Sequence, residues 1–204
     1  MKKFMIGAGI ATIALLGFTA LFGASSASAA RLCKEEGLLK ECPGAKFFPV
    51  GTPIDLLGLS EFGLGFTTVK CGSSEWEGRV TAAGGAGNLV PVQGVIESAE
   101  WKECTCKTAA LGAAPWKVSF YGTGIRDGEM SYEVEIEFDC AGIKCKYATT
   151  APPEFPVVKG GAPAELQVGA ALKKTGGSFV CKDPAIWGAV YNFAEPFGMY
   201  VTEK

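Results

Sequence analysis

The densest set of groups able to do chemistry lies in one run. Glu129, Glu133, Glu135, Glu137 and Asp139 share a parity, while Met130, Tyr132, Val134, Ile136, Phe138 and Cys140 share the other. That period of two is a strand with one wet and one buried face. Neighbouring carboxylates on such a face sit roughly 6.5–7 Å apart. Glu133, Glu135, Glu137 and Asp139 are therefore a candidate calcium or ligand face, because hard cations take several carboxylate oxygens. Two of them also satisfy the separation of about 5–9.5 Å that glycoside hydrolysis needs. An exposed strand offers no desolvated pocket to raise one carboxyl's pKa, so the plain expectation is a solvated face with lysine partners such as Lys117. No cofactor is expected, with calcium the one candidate.

The eight cysteines are Cys33, Cys42, Cys71, Cys104, Cys106, Cys140, Cys145 and Cys181. An even number in an exported chain reads as up to four disulfides. Cys33–Cys42 is the local pairing, and the other six leave the connectivity open. The rival is zinc held by Cys104-x-Cys106 with Cys140-x4-Cys145, a spacing foreign to zinc knuckles. No Cys-x-x-Cys redox motif occurs.

The chain has no histidine, which excludes histidine-based triads and imidazole metal ligands. It also lacks the Gly-x-Ser-x-Gly and Ser-x-x-Lys nucleophile motifs and any phosphate or dinucleotide loop. Its formal charge of −2 argues against nucleic-acid binding. Trp116 and Trp187 fall on apolar parities and read as core. Trp76 and Trp101 are flanked by charges and are the candidate exposed aromatics, suited to stacking on sugar. The apolar segment from Ile54 to Phe66 is either an interaction patch for envelope lipid or a protein, or two core strands joined at Ser60-Glu61.

Residues 1–30 read as an address rather than as part of the domain. Lys2 and Lys3 precede an uncharged run from Phe4 to Phe22, then the small residues Ser25 to Ala30. This is the pattern of a secretory signal peptide, with Ala27/Ala29 and Ser28/Ala30 both fitting the small-x-small cleavage rule. An uncleaved signal is the one route to a membrane that the sequence offers. Losing residues 1–30, with Lys2 and Lys3, leaves 174 residues with 17 basic and 21 acidic side chains, a net of −4. That length makes residues 31–204 a single secreted domain.

The elements that must carry these groups are short strands between Gly- and Pro-rich connections. Candidates are Thr52–Leu59, Gly65–Cys71, Glu77–Ala82, Val92–Cys104, Lys107–Leu111, Trp116–Tyr121, Met130–Cys140, Ile143–Ala148, Ala164–Leu172, Ala185–Ala194 and Met199–Thr202. Thr149–Pro163 reads as a stiff connection. A three-residue turn at Arg126-Asp127-Gly128 would match Phe120 with Val134, Val118 with Ile136 and Trp116 with Phe138. Many short strands at this spacing predict an all-β, disulfide-stapled antiparallel sandwich, or alternatively a β-barrel.

Leu32-Cys33, Cys42-Pro43, Thr68-Val69-Lys70-Cys71, Ala114-Pro115-Trp116-Lys117, Cys145-Lys146-Tyr147 and Tyr200-Val201 together carry a resemblance. The chain resembles small secreted cysteine-rich β proteins of high-GC soil actinobacteria. The resemblance implies an exported disulfide protein and no particular activity. The sequence therefore predicts a secreted or cell-surface structural or binding module, with an envelope protein or glycan as partner. A carboxylate-based carbohydrate hydrolase is the alternative.

Overall fold

Alternation in the sequence becomes alternation in space. Along Ala185–Glu195 every second side chain from Ala185 to Phe193 is buried and those between are exposed. The computed structural model of the chain describes residues 30–36, 42, 46–84, 90–111, 115–150 and 156–203. The proposed signal peptide, apart from Ala30, lies outside the described residues. So do most of the glycine-rich loop after Ala83 and the middle of the proline-rich connection.

The strands are β1 (Arg31–Cys33), β2 (Pro53–Gly63), β3 (Thr68–Ala82), β4 (Val92–Cys104), β5 (Lys107–Leu111), β6 (Trp116–Gly122) and β7 (Gly128–Tyr132). They continue as β8 (Glu135–Cys140), β9 (Ile143–Ala148), β10 (Val157–Lys159), β11 (Glu165–Gly177), β12 (Ala185–Glu195) and β13 (Tyr200–Thr202). The main sheet runs β10-β7-β6-β4-β3-β2-β12-β11, and β10 also pairs with β11. That last pairing closes an eight-stranded antiparallel barrel and leaves these strands no free edge. The all-β expectation stands, and of the two architectures it is the barrel that forms.

β11 serves two neighbours. Its first half pairs with β10, and its second half, Lys173 to Gly177, pairs with β9. A three-stranded extension β9-β8-β5 follows from it. β1 and β13 pair separately. No helix among the described residues is long and apolar enough to cross a membrane.

Four disulfides brace this frame: Cys33–Cys42, Cys71–Cys104, Cys106–Cys140 and Cys145–Cys181. The local pairing is as expected. The four thiols of the zinc alternative are consumed in three separate bridges. The last three disulfides crowd one end of the barrel, where β2 hands over to β3, β4 to β5, and β11 to β12.

Aromatic rings fill the interior. Trp76 lies 5.5 Å from Tyr132, 5.3 Å from Tyr191 and 5.8 Å from Trp187 between ring centroids. Phe62 stacks on Trp187 at 5.5 Å and tilts against Phe138 at 4.8 Å. Such rings dominate core energetics through the area they remove from water.

The structure departs from several of these expectations. Trp76 and Trp101 are 2% and 7% exposed, so they are core rather than exposed aromatics. Their charged neighbours Glu75, Glu77, Glu100 and Lys102 occupy the opposite face of the same strands, as a period of two requires. The segment Ile54 to Phe66 is not two strands joined at Ser60-Glu61, because β2 runs unbroken through both residues. Met130–Cys140 is not one strand either. It divides at Glu133-Val134, with β7 pairing β6 and β8 pairing β9.

The β6–β7 register matches Phe120 with Met130 and Val118 with Tyr132, four residues away from the expected pairing. An even shift preserves which side faces the core, so hydrophobic parity cannot distinguish the two. The closing pair Gly122–Gly128 decides it. A Cβ on Gly122 would lie 2.2 Å from the Thr202 carbonyl oxygen, and one on Gly128 would lie 2.5 Å from a Val201 methyl. Only glycines let β13 cross there.

Candidate functional site

β2 and β12 lie side by side with Ile186 opposite Gly63, Gly188 opposite Glu61, Val190 opposite Leu59 and Asn192 opposite Leu57. Their inward faces build the core. Their outward faces carry aliphatic side chains where a solvated sheet would carry polar ones: Leu59 is 62% exposed, Ile186 56%, Leu57 49% and Val190 47%. Gly188 sits among them, and a Cβ added there would meet nothing within 4 Å. The result is an open apolar groove of about 780 Å³, walled by Leu59, Ile186 and Val190.

Charge rims this groove. Lys70 and Glu61 pair at 3.6 Å across β2 and β3. Lys102 bridges Glu75 at 2.6 Å and Glu100 at 3.1 Å. The Lys102 hydrogen bond holds the Glu75 carboxyl below its ordinary value, while Glu75 and Glu100 hold the Lys102 ammonium above its own. One row beyond Leu57, the pairings Glu195–Asp55 and Asp55–Glu77 line up three carboxylates. Partial burial, then Glu195 and Glu77, raise the Asp55 carboxyl above its ordinary value. An acidic row, an apolar groove and the disulfide-rich end thus succeed one another along one face.

Under the groove lies a buried polar contact. Ser60 and Ser74 each hydrogen-bond the Tyr191 hydroxyl at 2.8 Å. Desolvation pushes that phenol up to about 12. Gly58 is why β2 can lie so close to β12: a Cβ there would come within 2.1 Å of the Val190 carbonyl oxygen.

The carboxylates singled out from the sequence do not join this site. Glu133 is exposed at the break between β7 and β8. Glu137 pairs with Lys146 at 3.3 Å. The Asp139 carboxylate accepts the Gly142 amide at 2.8 Å, and the Glu135 carboxylate accepts the Thr175 hydroxyl at 3.3 Å. Lys117 does not face Glu137: the β6–β7 pairing ends at Val118–Tyr132, and Glu137 lies in β8 between Lys146 and Ala109. These are the contacts of a charged outer face. Glu129, on β7, has its carboxyl raised by burial. Among the described residues no group of three or more acidic, Cys or His side chains is placed to hold a metal ion.

Sequence reasoning marked Ile54 to Phe66 as apolar but missed the β12 half of the groove. The signal was present: Ile186, Gly188 and Val190 occupy the positions of β12 that should have been polar. No family model, no curated protein and no solved structure matches the chain.

Proposed function

We propose that the protein is an exported, disulfide-braced binding module that holds a protein partner on the outer face of β2 and β12. The observation that carries this reading is the exposed aliphatic set Leu57, Leu59, Ile186 and Val190 around the open floor at Gly188. An apolar centre inside a charged rim is the anatomy of a protein interface. Closed pairing on both sides of β2 and β12 leaves no edge for strand addition, so recognition is by side chains inserted over Gly188. A glycan platform would need aromatic rings, and among the described residues none lines the groove. The acidic row Glu195, Asp55 and Glu77 beside the groove disfavours an anionic lipid surface here. Four disulfides and the n-, h- and small-residue pattern of residues 1–30 support export.

Site-specific photocrosslinking tests the reading. With Leu59 replaced by benzoylphenylalanine in the exporting cell, a discrete adduct with a different protein is expected. Adducts only with lipid, only with a second copy of the chain, or with nothing would overturn it.

A further inference from the structure

The disulfide-rich end of the barrel presents two aromatic side chains to solvent on adjacent turns. Phe179 is 94% exposed, and Phe66, on the turn from β2 to β3, is 39% exposed. The two turns are joined: the Lys182 amide donates to the Leu64 carbonyl oxygen at 2.9 Å. Gly65 makes that approach feasible. Its φ of +93° suits glycine, and a Cβ on it would lie 2.4 Å from Lys182 Cβ.

The Phe179 turn is held rigidly. The Cys181 amide closes it onto the Ser178 carbonyl at 3.2 Å, and the Ser178 amide donates to the Lys144 carbonyl at 2.8 Å. Lys174 Nζ donates to the carbonyls of Ser178, at 2.7 Å, and Cys181, at 3.2 Å. The Tyr147 hydroxyl donates to the Lys182 carbonyl at 2.9 Å, and Cys145–Cys181 pins the turn to β9. Phe179 thus stands out from a braced frame with Val180, 37% exposed, beside it in the chain and Phe66 on the joined turn.

Charge identifies the occupant. Around these turns stand Lys144, Lys174 and Lys182 against two acids whose carboxylates already accept backbone amides: Asp183, from Lys174 at 3.0 Å, and Asp139, opposite Lys144, from Gly142 at 2.8 Å. The acidic row Glu195–Asp55–Glu77 lies toward the far end of the same face. A basic, aromatic tip opposite an acidic row matches an anionic bilayer, where aromatic rings settle at headgroup level and lysines meet phosphate. We infer that this end is a membrane-docking tip, in which Phe179 and Phe66 insert at the interface of an anionic lipid surface and Lys144 and Lys182 contact its headgroups. This is a route to a membrane separate from any uncleaved signal, and it stands independently of the groove.

Sedimentation with vesicles tests it, using the purified exported protein, its mass checked for loss of the signal. Binding to phosphatidylcholine vesicles containing phosphatidylglycerol is expected, with little binding to phosphatidylcholine alone. Phe179→Ser with Phe66→Ser should lower partitioning about tenfold or more. Lys144→Gln with Lys182→Gln should abolish the preference for anionic vesicles. Both pairs are surface changes and should keep the wild-type melting temperature; a single Phe179→Ser serves if the pair fails to fold. No binding to anionic vesicles, or binding that survives the phenylalanine changes, overturns the inference. So does a photocrosslink from position 179 on whole cells that yields a protein adduct and no lipid adduct.

Discussion

The Tyr191 hydroxyl and the Ser60 hydroxyl meet at 2.8 Å beneath the apolar groove, and Ser74 bonds the same phenol at 2.8 Å. One buried tyrosine thus ties β12 to both β2 and β3 at the point where the outer face is most apolar. Tyr191→Phe leaves two buried hydroxyls without this partner and should cost about 1–3 kcal/mol in urea unfolding.

The same phenol sets an alkaline limit. Its folded-state value, about 12, lies above the ordinary 10.0, so folding favours the neutral form. Its contribution is complete below pH 10 and is lost as pH rises from 10 toward 12. Tyr147, also raised by burial, acts in the same direction. Unfolding curves should show stability falling above pH 10, less steeply in Tyr191→Phe than in the wild type.

Asp55 works in the acidic range. Its carboxyl is raised above 3.8 by burial and by Glu195 and Glu77, so the folded protein favours the protonated form. The stabilisation that gives is present below 3.8 and is lost as pH rises through the higher folded value. Asp55→Asn should therefore melt at a higher temperature than wild type at neutral pH. The gap should close as pH falls below 3.8 in a calorimetric series.

Two glycines on opposite sides of the β2–β12 pair, Gly58 facing inward and Gly188 outward, should separate stability from recognition. Gly58→Ala would press a Cβ to within 2.1 Å of the Val190 carbonyl oxygen, a backbone atom that cannot swing away. A loss of about 1–3 kcal/mol is expected. Gly188→Ala meets nothing within 4 Å and should leave stability within about 0.5 kcal/mol.

Processing should follow packing. Ala30 is fully buried, and its nitrogen lies 3.4 Å from the Val90 carbonyl oxygen. Of the two cleavage positions legible in the sequence, the one after Ala29 keeps Ala30 on the domain. N-terminal sequencing of the exported protein should read Ala30 first; a start at Arg31 would contradict this.

Strand positions were legible because each strand has one wet and one dry face. Val92–Cys104, Lys107–Leu111 and Ile143–Ala148 form where their alternation placed them. Register was less legible, since Phe120 could face Met130 or Val134 without breaking parity. What decided it, the crossing of β13 over Gly122 and Gly128, comes from residues some 80 positions later in the chain. The charges beside Trp76 and Trp101 misled for a related reason: adjacent residues on a strand report opposite faces. The groove was half legible. Leu57 and Leu59 were marked as part of an apolar run, but Ile186, Gly188 and Val190 join them only through the β2–β12 pairing.

The most direct test of the binding reading compares two photocrosslinking positions in the exporting cell. One is Leu59 at the groove; the other is Lys117 on β6, exposed and away from it. A protein adduct is expected from position 59 and none from position 117, with the former lost when Gly188→Trp fills the floor. Equal adducts from both positions, or an adduct from position 59 that survives Gly188→Trp, would contradict it.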